Sequence, residues 1–264
     1  MYLFVFDLDD TLFESNTFID TKTAVLLNKL LKEGNYIAIN SGRPLFGIKR
    51  FLKEINLNDH FFYIAFNGSA VFDYQEKSFY TLSLESEDFL YFLNKYKDDN
   101  DIFVYAWTSD NNIICKNVSN YYTEHELNYN EAGKIVDIYG GFSNYTITKI
   151  VIAGPEEILN KISFSEAEKN KFLIQRTRKI YYEIMNKNAD KVKGVDFLKD
   201  YLKIKKDNIY TFGDALNDLE MIKSYNGVCP IDGNPLVKAN SKFIMLSAKE
   251  NGVYNFISEH FKEK

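Results

Sequence analysis

The chain opens on a continuous apolar run, Tyr2 to Phe6, that stops at three carboxylates within four positions: Asp7, Asp9 and Asp10. A short unbroken run of strand-forming residues predicts a strand covered on both faces, as in a parallel sheet. From Thr21 to Glu33 the period changes. Ala24, Leu26, Leu27, Leu30 and Leu31 fall at helical spacing, and Gly34 closes the segment. "YIAIN", Tyr36 to Asn40, predicts a second buried strand running into the turn "SGRP". Strand, helix and strand in this order make a βαβ unit with a right-handed crossover. Leu45 to Ile55 predicts the next helix, and Phe61 to Phe66 a third strand ending at Asn67.

The rhythm then changes. "SAVFD" and "SFYTLSL" alternate like antiparallel strands, Glu85 to Lys97 has helical spacing, and strands are predicted around Ile102 to Trp107, Ile113 to Cys115 and Thr146 to Ala153. "GPEEILNKIS" predicts a helix after a strand, and Lys171 to Met185 a pair of strands with a Tyr-rich face. From Val192 the helix-strand alternation returns: "VDFLKDYLKI" as a helix, "NIYTF" as a buried strand ending in "GDALND", "LEMIKSY" as a helix and "GVCPI" as a strand. The expected organisation is a discontinuous core domain, residues 1–80 and 187–264, enclosing an inserted domain, 81–186, of ordinary domain size.

Composition narrows the classes of function. A chain of 264 residues, 45% hydrophobic with 22 Phe and 19 Tyr, can bury a large core. A net charge of −5 excludes the basic footprint of a nucleic-acid binder, and "KIKK", Lys203 to Lys206, reads as a solvated helix end. Cys115 and Cys229 have no paired spacing, which argues against a disulfide framework or a zinc site and for a reducing compartment. The first apolar run is broken at Asp7 and no later one reaches the roughly 18 residues of a membrane span. The expectation is a cytoplasmic protein with no nucleic-acid or membrane partner. His60, His125 and His260 are scattered without ligand spacing, and Trp107, Tyr181 and Tyr182 read as core or sheet-face residues.

In an open parallel sheet, ligands bind beyond the carboxyl ends of the strands. The polar clusters stand there repeatedly: Asp7, Asp9 and Asp10 after the first strand, Ser41 and Arg43 after the second, Asn67 after the third, Asp214 and Asp218 after a late one. Taken singly, "DLDDT" and "GDALND" are equally what a strand end followed by a helix cap looks like, and "SGRP" a helix-entry turn. Their joint occurrence points elsewhere. Carboxylates brought together repel unless a cation sits among them, and a hard divalent ion such as Mg²⁺ takes oxygen ligands and is usually shared with a phosphate.

These segments resemble the haloacid dehalogenase superfamily of phosphatases, and within it the Cof-type, subfamily IIB sugar-phosphatase-like group. "DLDDTL" is similar to its first motif, "NSGRP" to its second, "DKVKGVDFLKDYLKI" to its lysine segment and "FGDALNDLEMI" to its acidic motif. "FNGSAVFD" resembles the group's Asn-Gly segment, and the stretch from Gly227 to Ile257 its C-terminal part. The resemblance implies an α/β fold, a Rossmann-like parallel-sheet core with an inserted α+β cap of the C2 type. It makes Asp7 the nucleophile that forms an aspartyl-phosphate, and Asp9 the general acid and then base. It implies Mg²⁺ held by Asp7, the backbone carbonyl of Asp9, and Asp214, with Asp218 nearby. Ser41, Gly42, Arg43, Asn67 and Asn217 become the substrate contacts. The catalytic lysine is either Lys191 or Lys193. A following glycine, as the family usually has, favours Lys193. Apolar residues at 4, 7 and 11 positions beyond Lys191, namely Val195, Leu198 and Leu202, favour Lys191, which is preferred here. Val192 and Asp10 stand where the family commonly has glycine.

The expected function is hydrolysis of a small phosphomonoester, a sugar phosphate or related metabolite, by a monomer or weak homodimer. Two alternatives stay open: a phosphomutase, in which a second substrate oxygen takes the phosphoryl group, and a non-enzymatic Mg²⁺- or phosphometabolite-binding regulator on the same scaffold.

Overall fold

The computed structural model describes residues 1–15, 17–116, 120–130 and 133–261. Two compact units divide the chain: Met1–Gly42, Ile48–Tyr80 and Asp190–Lys264 form one, Arg43–Gly47 and Thr81–Ala189 the other. The first begins with β1 (Leu3–Phe6), every residue of which is buried, as an apolar run in a two-sided sheet requires. Helix α1 (Thr21–Lys32) starts at Asp20, whose carboxylate accepts from the amides of Lys22 and Thr23. The helix buries Ala24, Leu27, Leu30 and Leu31, the stripe its spacing predicts. Strands β2 (Tyr36–Asn40) and β3 (Phe61–Ala65) follow, β2 parallel to β1 and β3 parallel to β2.

Between them α2 covers only Leu45–Lys49, so the helix predicted through Ile55 is shorter than its pattern implied. Phe51, Leu52 and Ile55 are nonetheless buried. Their amides donate to Ile48, Lys49 and Leu52 carbonyls in successive three-residue turns. Gly47, a poor helix former, sits inside this segment, and turns can meet the same apolar spacing. Strand β4 (Ala70–Asp73) runs antiparallel to β3, and β5 (Ser78–Thr81) lies beside it.

The second unit is α+β. Its elements are α3 (Ser86–Lys95), β6 (Phe103–Thr108), β7 (Ile113–Cys115), α4 (Tyr121–Asn130), β8 (Ile135–Asp137), β9 (Ile147–Ala153), α5 (Glu156–Leu159), α6 (Glu166–Lys171), β10 (Phe172–Arg178) and β11 (Tyr181–Asn186). The six strands are ordered β10-β11-β9-β6-β7-β8, with β7 and β8 parallel and the other pairs antiparallel. Phe89 and Phe92 of α3 pack on Val104, Ala106, Ile150, Ile152 and Ile184 from one sheet face. Trp107 and Tyr181 are buried in this unit.

The first unit resumes with α7 (Lys191–Leu202), β12 (Ile209–Phe212), α8 (Leu219–Ser224), β13 (Asn226–Pro230), α9 (Pro235–Asn240), β14 (Phe243–Met245) and α10 (Gly252–His260). Its sheet runs β14-β13-β12-β1-β2-β3-β4-β5. From β1 the chain moves outward through β2 and β3, then returns on the other flank of β1 at β12. That reversal is the switch point at which open α/β sheets bind ligands. Phe6 is level with both Ile39 and Phe212, and the Asp7 amide donates to the Phe212 carbonyl at 2.9 Å. The residues just past β1, β2 and β12 therefore share one rim. Two glycines bring α7 close to this rim. Gly194 faces Ile64 of β3, where a Cβ would lie 2.3 Å from Ile64 Cγ2. Gly68, at φ +86°, passes so close to the Asp190 carbonyl that a Cβ would lie 2.0 Å from its oxygen. Among the described residues no helix is long and apolar enough to cross a membrane.

Candidate active site

Asp7 leaves β1 with its carboxylate almost wholly enclosed. Its Oδ1 accepts from Lys191 Nζ at 2.5 Å, and Lys191 also donates to Asp218 Oδ1 at 2.7 Å. Lys191, the first residue of α7, is 1% exposed, whereas Lys193 is exposed. A cation at a helix N-terminus opposes the helix dipole, so the two carboxylates are what hold it there. Val195 and Leu198, on the same helical face, are buried, which is why Lys191 and not Lys193 turns inward.

The loop after β12 supplies the other acids. Asp218 Oδ2 accepts from the backbone amides of Asp214 and Ala215, at 3.1 and 3.0 Å, and so fixes the turn that presents Asp214. Asp214 Oδ1 accepts from Thr11 Oγ1 at 2.8 Å, and its carbonyl from the Asn234 amide at 2.8 Å. Thr11 and Asn234 are site residues that the sequence did not single out. Thr11, the last residue of "DLDDT" in the sequence, has a fully buried hydroxyl in the structure.

The Ser41 amide donates to the Ile64 carbonyl, and the Asn67 amide to the Ser41 carbonyl at 3.0 Å, tying the ends of β2 and β3 together. Phe66 and Asn67 both adopt left-handed backbone, φ 52° and 53°. That conformation is unusual for a bulky residue and belongs to the kind of local strain that collects at functional sites. It directs the Asn67 amide against Gly42, whose added Cβ would meet Asn67 Oδ1 at 3.0 Å, and onto Asn217, whose Nδ2 donates to Asn67 Oδ1 at 3.1 Å. Gly42, Asn67 and Asn217 are thus brought together. Arg43 instead clusters with the second unit, where its guanidinium donates to the Tyr129 hydroxyl at 2.7 Å and lies 4.7 Å from that ring's centroid.

Asp9 lies half-buried in the turn after β1. Asp10, where the resembled family has glycine, sits at φ 59°, a conformation aspartate tolerates better than most residues. Its carboxylate accepts from the Ser15 amide and hydroxyl and is held by that turn.

Asp7, Asp214 and Asp218 offer oxygens that all lie within 4.8 Å of one another. One ammonium, that of Lys191, faces three carboxyl groups, so ionising all three would leave two negative charges in excess. Burial raises the Asp7 carboxyl well above its ordinary value. Lys191 works against that rise, and the Asp218 and Asp214 charges add to it. Burial first and Asp218 second push Asp214 up to about 6. Burial alone would lower Lys191, but the Asp218 and Asp7 carboxylates outweigh it and hold the ammonium charged. An oxygen-only donor set with excess negative charge fits a hard divalent cation. Asp218 has both oxygens engaged by protein donors, while Asp7 Oδ2 and Asp214 Oδ2 have no hydrogen bond among the described residues.

The acidic residues of the first unit thus gather at the switch point of its sheet. A profile of haloacid dehalogenase-like hydrolases matches residues 4–257, and the chain belongs to that family. It is 26% identical over 270 residues to the Bacillus subtilis 5-amino-6-(5-phospho-D-ribitylamino)uracil phosphatase YitU, covering 98% of this chain and 97% of that one. Its fold is that of a haloacid dehalogenase-like hydrolase from Bacteroides thetaiotaomicron, with a TM-score of 0.87 at 22% identity over 98% and 99% of the two chains. The subclass IIB sugar phosphatase BT4131 shares it too, with a TM-score of 0.73 at 20% identity over 99% of each chain. The chain is thus an enzyme, a phosphatase of the haloacid dehalogenase type.

Proposed function

We propose that this enzyme hydrolyses a small phosphomonoester, a sugar phosphate or a related metabolite, in a Mg²⁺-dependent reaction through a phosphorylated Asp7. The observation that carries the reading is the buried Asp7–Lys191–Asp218 network at the end of β1, with Asp214 alongside it. Asp7 Oδ2, the oxygen Lys191 does not hold, attacks phosphorus. The P–O bond to the alcohol breaks, and the alcohol oxygen takes the proton of Asp9. The Asp9 carboxylate then removes a proton from water, whose oxygen attacks the phosphoryl group. The bond from phosphorus to Asp7 breaks, releasing inorganic phosphate and restoring both acids. Ser41 and Lys191 donate to the phosphoryl oxygens, where negative charge has to be held. Mg²⁺, held by Asp7, Asp214 and the Asp9 carbonyl with Asp218 behind them, would supply the remaining charge neutralisation.

The substrate class draws support from names: YitU acts on a phosphorylated ribityl chain, and BT4131 is a sugar phosphatase. Cys115 and Cys229 are both buried and form no disulfide among the described residues, in keeping with the reducing, cytoplasmic setting proposed for the enzyme. The test is phosphate release from sugar phosphates, nucleotides, phosphoglycolate and pyridoxal phosphate, with and without Mg²⁺. Isomerised sugar phosphate in place of free phosphate would make the enzyme a mutase.

The raised acids predict how metal affinity depends on pH. A carboxyl with a raised value keeps its proton to higher pH, and a cation must displace that proton. Binding therefore releases protons, and affinity falls as pH drops through about 6, where Asp214 protonates. Titration calorimetry with Mg²⁺ in buffers of different ionisation heat measures both. Affinity constant between pH 5 and 7, with no proton release, would count against these acids as ligands.

A further inference from the structure

The last residue of β2 is polar where the strand could be apolar. Asn40 is fully buried, and its Nδ2 donates to the Lys191 carbonyl at 2.9 Å and reaches Met221 Sδ at 3.5 Å. Its Oδ1 has no hydrogen-bond partner among the described residues. A buried amide with one end unsatisfied is destabilising, and valine or isoleucine at this strand end would carry no such cost. The residue is better explained by what its other end holds. The ammonium of Lys191 is enclosed between Asp7 and Asp218, and Asn40 grips the peptide from which that side chain springs.

Two other contacts fix the same turn of α7. Gly68 allows the β3–β4 turn to lie against the Asp190 carbonyl, and Gly194 allows the helix to lie against Ile64. Both bear on β3. Asn40 alone of the three belongs to β2, the strand whose next residue is Ser41.

We propose that Asn40 is a positioning residue that sets the separation of Ser41 from Lys191, the two donors that the proposed function aims at one phosphoryl group. The assignment rests on that function. Asn40 touches no reacting atom. It fixes where two donors stand relative to each other, and small displacements of such groups are costly to the chemical step.

The test compares Asn40→Leu, which keeps the volume and removes the amide, with Leu27→Ala, a core truncation in α1 that also destabilises the first unit. Steady-state phosphate release and thermal midpoints are measured for both. Asn40→Leu is expected to lower kcat by about 10- to 100-fold with KM within about twofold, while Leu27→Ala leaves kcat within about twofold. If Asn40→Leu does not fold, Asn40→Ser, too short to reach the carbonyl, is expected to give the same split. Unchanged kcat in a folded Asn40 variant overturns the proposal, as does an equal kcat loss in Leu27→Ala. A wild-type enzyme that releases no phosphate from any compound overturns the functional reading and this assignment with it. An active wild type with unaffected Asn40 variants overturns the assignment alone.

Discussion

Asp7→Asn is expected to abolish phosphate release, by about 10⁴-fold or more, while leaving a folded protein whose metal-free thermal midpoint is at least that of the wild type. The first effect follows from removing the nucleophile, because an amide oxygen does not form the phosphorylated intermediate. The second has a sign that can be worked out. Asp7 in the folded chain holds its proton more tightly than an exposed aspartate does, because burial outweighs its bond to Lys191. A folded state that binds more protons than the unfolded one loses stability as pH rises through the folded value, so ionised Asp7 is a burden near neutrality. The amide removes that burden and the repulsion from Asp214 and Asp218. Single-turnover assays paired with thermal melts decide it. Measurable turnover in the variant would remove Asp7 from the nucleophile's role, and a large drop in midpoint would mean its charge is structural.

Lys191→Met keeps the stem and removes the ammonium. It is expected to lower kcat by about 10²- to 10³-fold, the scale of losing one preorganised donor to developing charge. It is also expected to cost about 3–5 kcal/mol of metal-free stability near pH 8, because Asp218 and Asp7 lose their buried partner. The stability loss shrinks toward pH 5. Without the lysine the Asp7 carboxyl rises further, and protonation relieves the repulsion. Urea unfolding across that range reads the effect directly. A pH-independent loss would mean that lost packing of the stem, and not uncompensated charge, accounts for the change.

Much of the first unit was legible because its strands are apolar runs bounded by chemistry. β1, β2, β3 and β12 each end within two residues of a side chain that bears on the site, so pattern and function announced each other. The lysine segment came from the family resemblance, which left Lys191 and Lys193, and spacing chose between the two. The interval from Lys191 to Val195 and Leu198 describes a buried helical face, and those residues are buried. The second unit was less legible. Helix α4, "YYTEHELNYN", presents polar and aromatic residues all round and has no apolar stripe to find, and β8 is only three residues long. Helix α6 has four charged residues in six and no apolar stripe, and its one signal was its cap, Ser165 followed three residues later by Glu168. Asn40 read as the last letter of a strand. In the folded chain its side chain crosses to a helix 151 residues further along.

The strand order also bears on how the chain is made. β1 leaves the ribosome long before one of its two neighbours, β12, which begins at residue 209. At about 5–20 residues per second, some two hundred intervening residues take roughly 10–40 s to synthesise. Throughout that interval "LFVF" has one edge without its native partner, an all-apolar strand exposed to neighbouring nascent chains. The burial that makes β1 a rigid platform for Asp7 in the finished enzyme makes it a sticky, half-paired segment while the enzyme is still unfinished.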